Sequence, residues 1–258
     1  MANAITSFGH KLIKDTTKLV EEDGYDVIYG DTDSIFIDLD VEEVEASRDI
    51  AEELEDKINT YFEDVVEDEY EMDSYIEIEY EKTFKKLLMP RTRGSKKGAK
   101  KRYAGLIEKE MTFTGLEFVR RDWTELSKKF QLGLFWRIFK EEEIDEWVRD
   151  FVDSLKDGEM DDLLIYRKAL RKDVEDYVKT TPQHVKAAKK KDEIRDNVIK
   201  YILTINGPEP VENVQSSIDY DHYIEKQIKP IAESVLPLLD KDFDAILRGT
   251  KQTDLGSF

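Results

Sequence analysis

Apolar positions recur every three or four residues from 4 to 22, where Ile5, Phe8, Leu12, Ile13, Thr16, Leu19 and Val20 share one face. That spacing predicts an amphipathic helix, and Gly24 stands where glycine commonly ends one. Two short β-rich runs follow, Tyr25–Tyr29 and Ile35–Ile37. The polar segment Gly30–Ser34 between them is short enough for a hairpin turn. Residues 41–64 return to helical spacing through Val44, Ile50, Leu54, Ile58, Tyr61 and Phe62, with Asp and Glu crowding the opposite face. Residues 75–89 alternate like a strand, Ile76, Ile78 and Tyr80 on one side and Glu77, Glu79 and Glu81 on the other. Pro90 stops that run. A Gly/Ser/Lys/Arg loop covers 91–102, then strand patterns appear at 103–107 and 111–119. From about 123 the reading is helical: 123–139, 143–156, 159–168, 171–178, and most of 219–248, interrupted by Pro230 and Pro237. Residues 183–191 have no clear period, and 198–205 could be a strand. The fold class is therefore α+β: an antiparallel sheet with flanking helices, followed near residue 125 by a mostly α-helical second half.

Composition narrows the chemistry. The 258 residues contain no cysteine and only His10, His184 and His222, far apart in sequence. Disulfides, thiolate metal sites, cysteine nucleophiles and histidine-rich metal sites are thereby excluded or disfavoured. No apolar run approaches the roughly 20 residues of a membrane span, so no membrane partner is expected. The net charge of −19 hides a segregation. Residues 1–81 carry 5 basic and 27 acidic residues, whereas 82–140 carry 17 basic and 5 acidic. Such a basic block is either a footprint for phosphate backbones or the counterpart of the acidic segment.

Asp31-Thr32-Asp33 falls at the tip of the expected hairpin. Two carboxylates this close repel unless a cation neutralises them. Hard divalent cations take oxygen ligands and are commonly held by one or two carboxylates plus substrate phosphates. The plain alternative is a polar turn, for which Asp, Gly and Ser are ordinary. An EF-hand loop counted from Asp31 would have Glu42 at its twelfth position, but Phe36 stands where glycine is required.

Tyr29-Gly30-Asp31-Thr32-Asp33-Ser34 resembles the YxDTDS motif of family B DNA polymerases. Lys101-Arg102-Tyr103 is similar to that family's KxY element, and Gly115–Trp123 to the segment leading from palm to thumb. Tyr166-Arg167-Lys168, Pro182–Ala188 and Asn206–Pro210 resemble the thumb of bacterial members. These segments occur in the family's order over nearly the whole chain. The resemblance implies residues 1–125 as the C-terminal part of the palm, 126–250 as the thumb and 251–258 as a flexible tail. It implies that Asp33 holds catalytic metal, two Mg²⁺ ions being the expected cofactor, with Asp31 as an auxiliary carboxylate. Tyr29, Gly30, Thr32 and Ser34 would support the active site. Arg91, Arg93, Lys96, Lys97, Lys100, Lys101, Arg102 and Tyr103 would face primer–template DNA, joined by Arg167 and Lys168 in the thumb.

The family's DxxSLYP and KxxxNSxYG motifs are absent from this sequence. A two-metal site needs both bridging carboxylates, so the resemblance implies a chain inactive alone. The expectation is the small subunit of a split DNA-directed DNA polymerase, working with a large polymerase subunit on DNA and dNTP in a cytoplasmic, nucleoid-associated setting. The initial Met and the C-terminal tail fit a natural subunit better than a cut fragment. In that tail Gln252, Leu255 and Phe258 resemble a sliding-clamp-binding peptide, whose apolar side chains fill a pocket while the amide bonds at its rim. A non-catalytic protein tethering DNA to a clamp is the alternative, and a cation-binding structural domain is a third reading.

Overall fold

The computed structural model describes residues 2–41, 43–91, 101–178, 181–191, 193–194 and 196–249, with side chains from residue 5. The chain forms two compact units, residues 1–87 with 105–110, and residues 88–104 with 111–258.

In the first unit, helix α1 (Ala2–Glu22) and helix α2 (Val44–Tyr70) flank the antiparallel hairpin β1 (Asp26–Gly30) and β2 (Ile35–Asp38). Gly24 adopts φ +90° and the Tyr25 amide donates to the Val20 carbonyl at 3.2 Å, which turns the chain from α1 into β1. Val20, Leu54, Ile58 and Phe62 form the core, with Val27, Ile35, Ile37, Ile76 and Ile78 packed against it. Helix α2 runs past residue 64, because no Gly or Pro interrupts the acidic stretch after it. It ends where Glu71 takes a left-handed conformation, φ 53°.

The alternating segment 75–89 is only partly a strand. Ile76, Ile78 and Tyr80 are half-buried and the intervening glutamates exposed, as the alternation predicts, yet among the described residues the ladder is confined to β3 (Lys86–Leu88). Side chains of α2 replace a neighbouring strand. Asn59 donates to the Ile78 carbonyl at 2.9 Å and accepts from the Ile78 amide at 2.8 Å, while Glu55 accepts from the Tyr80 amide at 2.6 Å. Alternation reports which face is buried, not what the backbone edge bonds to. Strands β4 (Tyr103–Ile107) and β5 (Glu110–Thr114) follow, with β4 in the middle of a three-stranded sheet.

The second unit is built on α3 (Glu125–Lys140) and α4 (Asp145–Lys156). Thr124 caps α3, and its amide and hydroxyl both donate to Gln227. Phe130 stacks on Trp147 at 5.4 Å. Gly133 makes room for that indole, since a Cβ there would lie 2.5 Å from the ring.

This half is less helical than its periodicity suggests. Residues 159–168 contain one tight turn and then β6 (Tyr166–Ala169), which pairs antiparallel with β7 (Val198–Thr204), itself paired with β8 (Gly207–Pro210). The Tyr166 ring stacks on Tyr201 and Tyr223 at 5.2 and 5.7 Å, and its hydroxyl meets His222 Nε2 at 3.0 Å. These tertiary contacts outweigh local helical propensity. Residues 171–178 keep only a single turn, where the Tyr177 hydroxyl accepts from the Arg171 amide at 3.1 Å. Helix α5 (Gln183–Ala188) packs on this sheet. Toward the C-terminus, α6 (Tyr220–Tyr223), a π-turn at 224–228, α7 (Lys229–Val235), a tight turn at 236–239 and α8 (Phe243–Arg248) share what reads as one helical stretch. Pro230 and Pro237 lack the amide that would carry α-helical bonding through. Among the described residues no helix is long and apolar enough to cross a membrane.

Candidate active site and nucleic-acid interface

The hairpin tip presents the two aspartates. A bulge between Val27 and Tyr29 shifts the register, so that Tyr29 faces Phe36 and Gly30 faces Ile35. Bulges re-aim side chains in this way. The Tyr29 and Phe36 rings lie 5.3 Å apart, and Phe36 lies 6.0 Å from Phe84. Phe84 in turn covers Gly105, where a Cβ would stand 2.1 Å from its ring. A row of mutually tilted aromatic rings therefore supports the turn.

At the turn itself the Asp31 amide donates to the Ser34 carbonyl at 2.9 Å, and the Thr32 hydroxyl donates to Asp31 Oδ1 at 3.2 Å. Asp31 and Ser34 are half-buried; Thr32 and Asp33 are exposed. The two carboxylates thus differ. Asp31 is engaged inside the turn, whereas Asp33 points outward from a braced tip. Such a donor set suits a hard cation as one or two of its oxygen ligands. Among the described residues no group of three or more Asp, Glu, His or Cys is assembled for a metal. Glu77, Glu79 and Glu81 are exposed, and Glu81 pairs with Lys82 at 2.5 Å.

The basic residues fall in several places. Arg93, Lys96, Lys97 and Lys100 lie outside the described residues, as do Gln252, Leu255 and Phe258. Arg91 is half-buried, and its amide donates to the Ser234 carbonyl at 2.9 Å. Lys101 is exposed with φ 57°, and Tyr103 is half-buried at the start of β4. Arg102 turns to Glu117 in an ion pair. Arg120 and Asp122 pair through two contacts of 2.7 and 3.0 Å at the surface, about half of each side chain being exposed.

Arg167 and Lys168 are exposed on β6, opposite Lys200 and Ile199. Beside them is a cavity of about 460 Å³ lined by Lys168, Arg171, Tyr177, His184 and Tyr201, among others. Burial first, and Lys168 second, hold His184 below the usual imidazole pKa, so it is neutral at pH 7. Burial pushes the Tyr201 hydroxyl up to about 12. The grouping of His184 and Tyr177 with these cations is not visible in sequence, where they lie between 168 and 201 in separate elements. The one available signal is the Pro182–Ala188 segment, whose resemblance singles it out without assigning the imidazole a role.

Geometry and sequence meet in the comparisons. A family model described as DNA polymerase family B matches residues 1–238. DNA polymerase II of Escherichia coli (strain K12) is 40% identical over 96% of this chain, which corresponds to 34% of that protein. A DNA polymerase of Thermococcus gorgonarius is 28% identical over the full chain and 34% of its own length. In structure, the family B DNA polymerase of the hyperthermophilic archaeon Pyrobaculum calidifontis matches 91% of the chain with TM-score 0.62 and 28% identity, over 29% of that polymerase. The chain belongs to DNA polymerase family B. It is similar to DNA polymerase II and spans about a third of the length of these relatives.

Proposed function

We propose that this chain is the small subunit of a split DNA-directed DNA polymerase, residues 1–125 forming the C-terminal part of the palm, 126–250 the thumb and 251–258 a clamp-binding tail. The observation that carries the reading is an exposed Asp33 at the tip of a braced hairpin, in a chain that matches the family over residues 1–238. Polymerase chemistry of this kind joins a primer 3′-hydroxyl to the α-phosphate of a dNTP, with pyrophosphate leaving. Two Mg²⁺ ions, when bound, activate the attacking oxygen and neutralise the leaving group.

This chain's contribution is positional. Asp33 supplies one metal-binding carboxylate. Asp31, held by the Thr32 hydroxyl and its own turn, adds negative potential and keeps Asp33 outward. Tyr29 and Phe36 brace the turn against movement. Lys101, Tyr103, Arg167 and Lys168 contact primer–template DNA without reading its sequence, since phosphate contacts give affinity and register only. The second bridging carboxylate comes from the large subunit, so the chain is inactive by itself. Gln252, Leu255 and Phe258 hold the complex on a sliding clamp.

Primer extension on a primed template, with Mg²⁺ and all four nucleotides, tests this. Extension is expected only when the chain is joined to its large subunit, and is lost with Asp33→Asn. Extension by the chain alone would refute the missing-carboxylate argument. Tight duplex and clamp binding with no extension in the pair would point to a DNA–clamp tether.

A further inference from the structure

Arg102 stands between the two residues assigned above to the DNA surface, yet its side chain turns away to a buried acid. Glu117 is 7% exposed, and one of its oxygens pairs with Arg102 Nη2. The other oxygen accepts from Gln131 Nε2 at 2.9 Å. Gln131, fully buried on α3, accepts in turn from the Phe118 amide at 2.6 Å. The Phe118 ring stacks on Phe113 at 4.3 Å. The relay Arg102–Glu117–Gln131–Phe118 therefore runs from the start of β4 into the core beneath α3.

A backbone contact reinforces it. Gly115 adopts φ +62°, and a Cβ there would lie 2.1 Å from the Lys101 carbonyl oxygen. Residues 101 and 102 therefore meet 115–117 in two ways, by close packing of the Lys101 carbonyl on Gly115 and by the Arg102–Glu117 ion pair. The left-handed conformation of Lys101, φ 57°, is uncommon for a residue with a side chain and needs such support.

The electrostatics agree. A buried carboxylate without a partner is costly, and Arg102 supplies its counter-charge. Arg102 Nε is itself buried, with no hydrogen-bond partner among the described residues. A guanidinium paired at Nη2 and buried at Nε has fewer of its donors left to offer a phosphate.

We infer that Glu117 is a positioning residue for DNA binding: through Arg102 it sets the backbone that presents Lys101 and Tyr103, and Arg102 contributes geometry instead of a phosphate contact. This rests on the DNA-binding reading of Lys101 and Tyr103 above.

The test is duplex affinity of the full chain for a labelled primer–template, measured over a series of KCl concentrations. Wild type is compared with Arg102→Gln, Glu117→Gln, the double variant and Arg102→Lys, with thermal melting of each. Each single Gln variant should bind about tenfold more weakly, and the double no worse than either, as for residues acting as one unit. The slope of log affinity against log salt should stay at the wild-type value. Arg102→Lys keeps a cation for Glu117 and should recover most of the loss. Gln131→Met, which breaks the next link of the relay without removing either charge, should weaken binding about threefold at the same slope, on the scale of coupling within one network.

A slope reduced by about 0.9 in Arg102→Gln would make Arg102 a phosphate contact and overturn the inference. So would losses that multiply in the double variant. Lowered melting temperatures with unchanged affinity would reduce Glu117 to a structural role. A wild-type chain that binds no duplex even at low salt would instead sink the DNA-binding reading itself, and the inference with it.

Discussion

Glu209, on β8, should stabilise the second unit in a pH-dependent way. Its Oε2 accepts from the amides of Gln215 and Ser216 at 2.7 and 3.1 Å, and its Oε1 accepts from the Ser216 hydroxyl at 2.7 Å. Lys190 lies 3.7 Å away. The carboxylate thus folds the 211–216 loop back onto the strand it follows. The Gln215 amide foremost, then the Ser216 hydroxyl and amide and Lys190, hold its pKa down to about 2 from 4.5, against the opposing effect of burial. At about 1.4 kcal/mol per unit, that difference corresponds to roughly 3 kcal/mol. Solvent around the half-exposed Lys190 screens part of it, which leaves about 2 kcal/mol. Because the folded value lies below the unfolded one, the contribution is complete above pH 4.5 and is lost as pH falls toward 2. Glu209→Gln should therefore cost about 2 kcal/mol at pH 7, the amide being unable to accept at every position the carboxylate fills. Urea unfolding of both proteins at pH 7, 4.5 and 3.5 is the assay. The gap should be full at pH 7 and smaller at pH 3.5, by up to about 1.4 kcal/mol per pH unit. Equal gaps at all three values, or none at pH 7, would refute the assignment of the stabilisation to the ionised carboxylate.

Other consequences follow from the packing and the charges. Asn59→Ala removes both bonds that bracket Ile78 and should cost about 1–2 kcal/mol, with faster hydrogen exchange at the Ile78 and Tyr80 amides. Gly133→Ala drives a methyl into Trp147 and should lower stability by about 1–3 kcal/mol, read as a shifted urea midpoint at constant slope. Arg167→Ala and Lys168→Ala should each weaken duplex binding for all sequences alike and reduce the salt slope by about 0.9 if each meets one phosphate. Unchanged slopes in both would remove β6 from the DNA surface.

What was legible in the sequence is what local physics decides. The hairpin at Asp26–Asp38 was readable because β-rich runs flank a polar turn. Helices α3 and α4 were readable because their apolar residues keep one period over three turns or more. The strand β6 was not, because Tyr166 is held in extended backbone by Tyr201 and Tyr223, 35 and 57 residues onward in the numbering. Residues 74–82 were half legible. Their alternation gave the buried face correctly, while Asn59 and Glu55 took the place of a pairing strand. The candidate site divides in the same way. Asp33 stands out in sequence through its motif and stands out in space at an exposed tip.

Arg102 shows why charge counting reaches only so far. In a run of lysines and arginines it reads as one more phosphate contact, and the regional excess of positive charge is real. Its partner is a single acid in the apolar string Leu116-Glu117-Phe118-Val119, fifteen residues away. A lone glutamate in such a string is itself a signal, because burying it requires a cation from elsewhere in the chain. Composition gives the field of a segment, whereas burial decides which charges remain available to a ligand. A basic stretch near a buried acid should therefore count one cation fewer toward its DNA surface, and the salt slope of duplex binding measures that number directly.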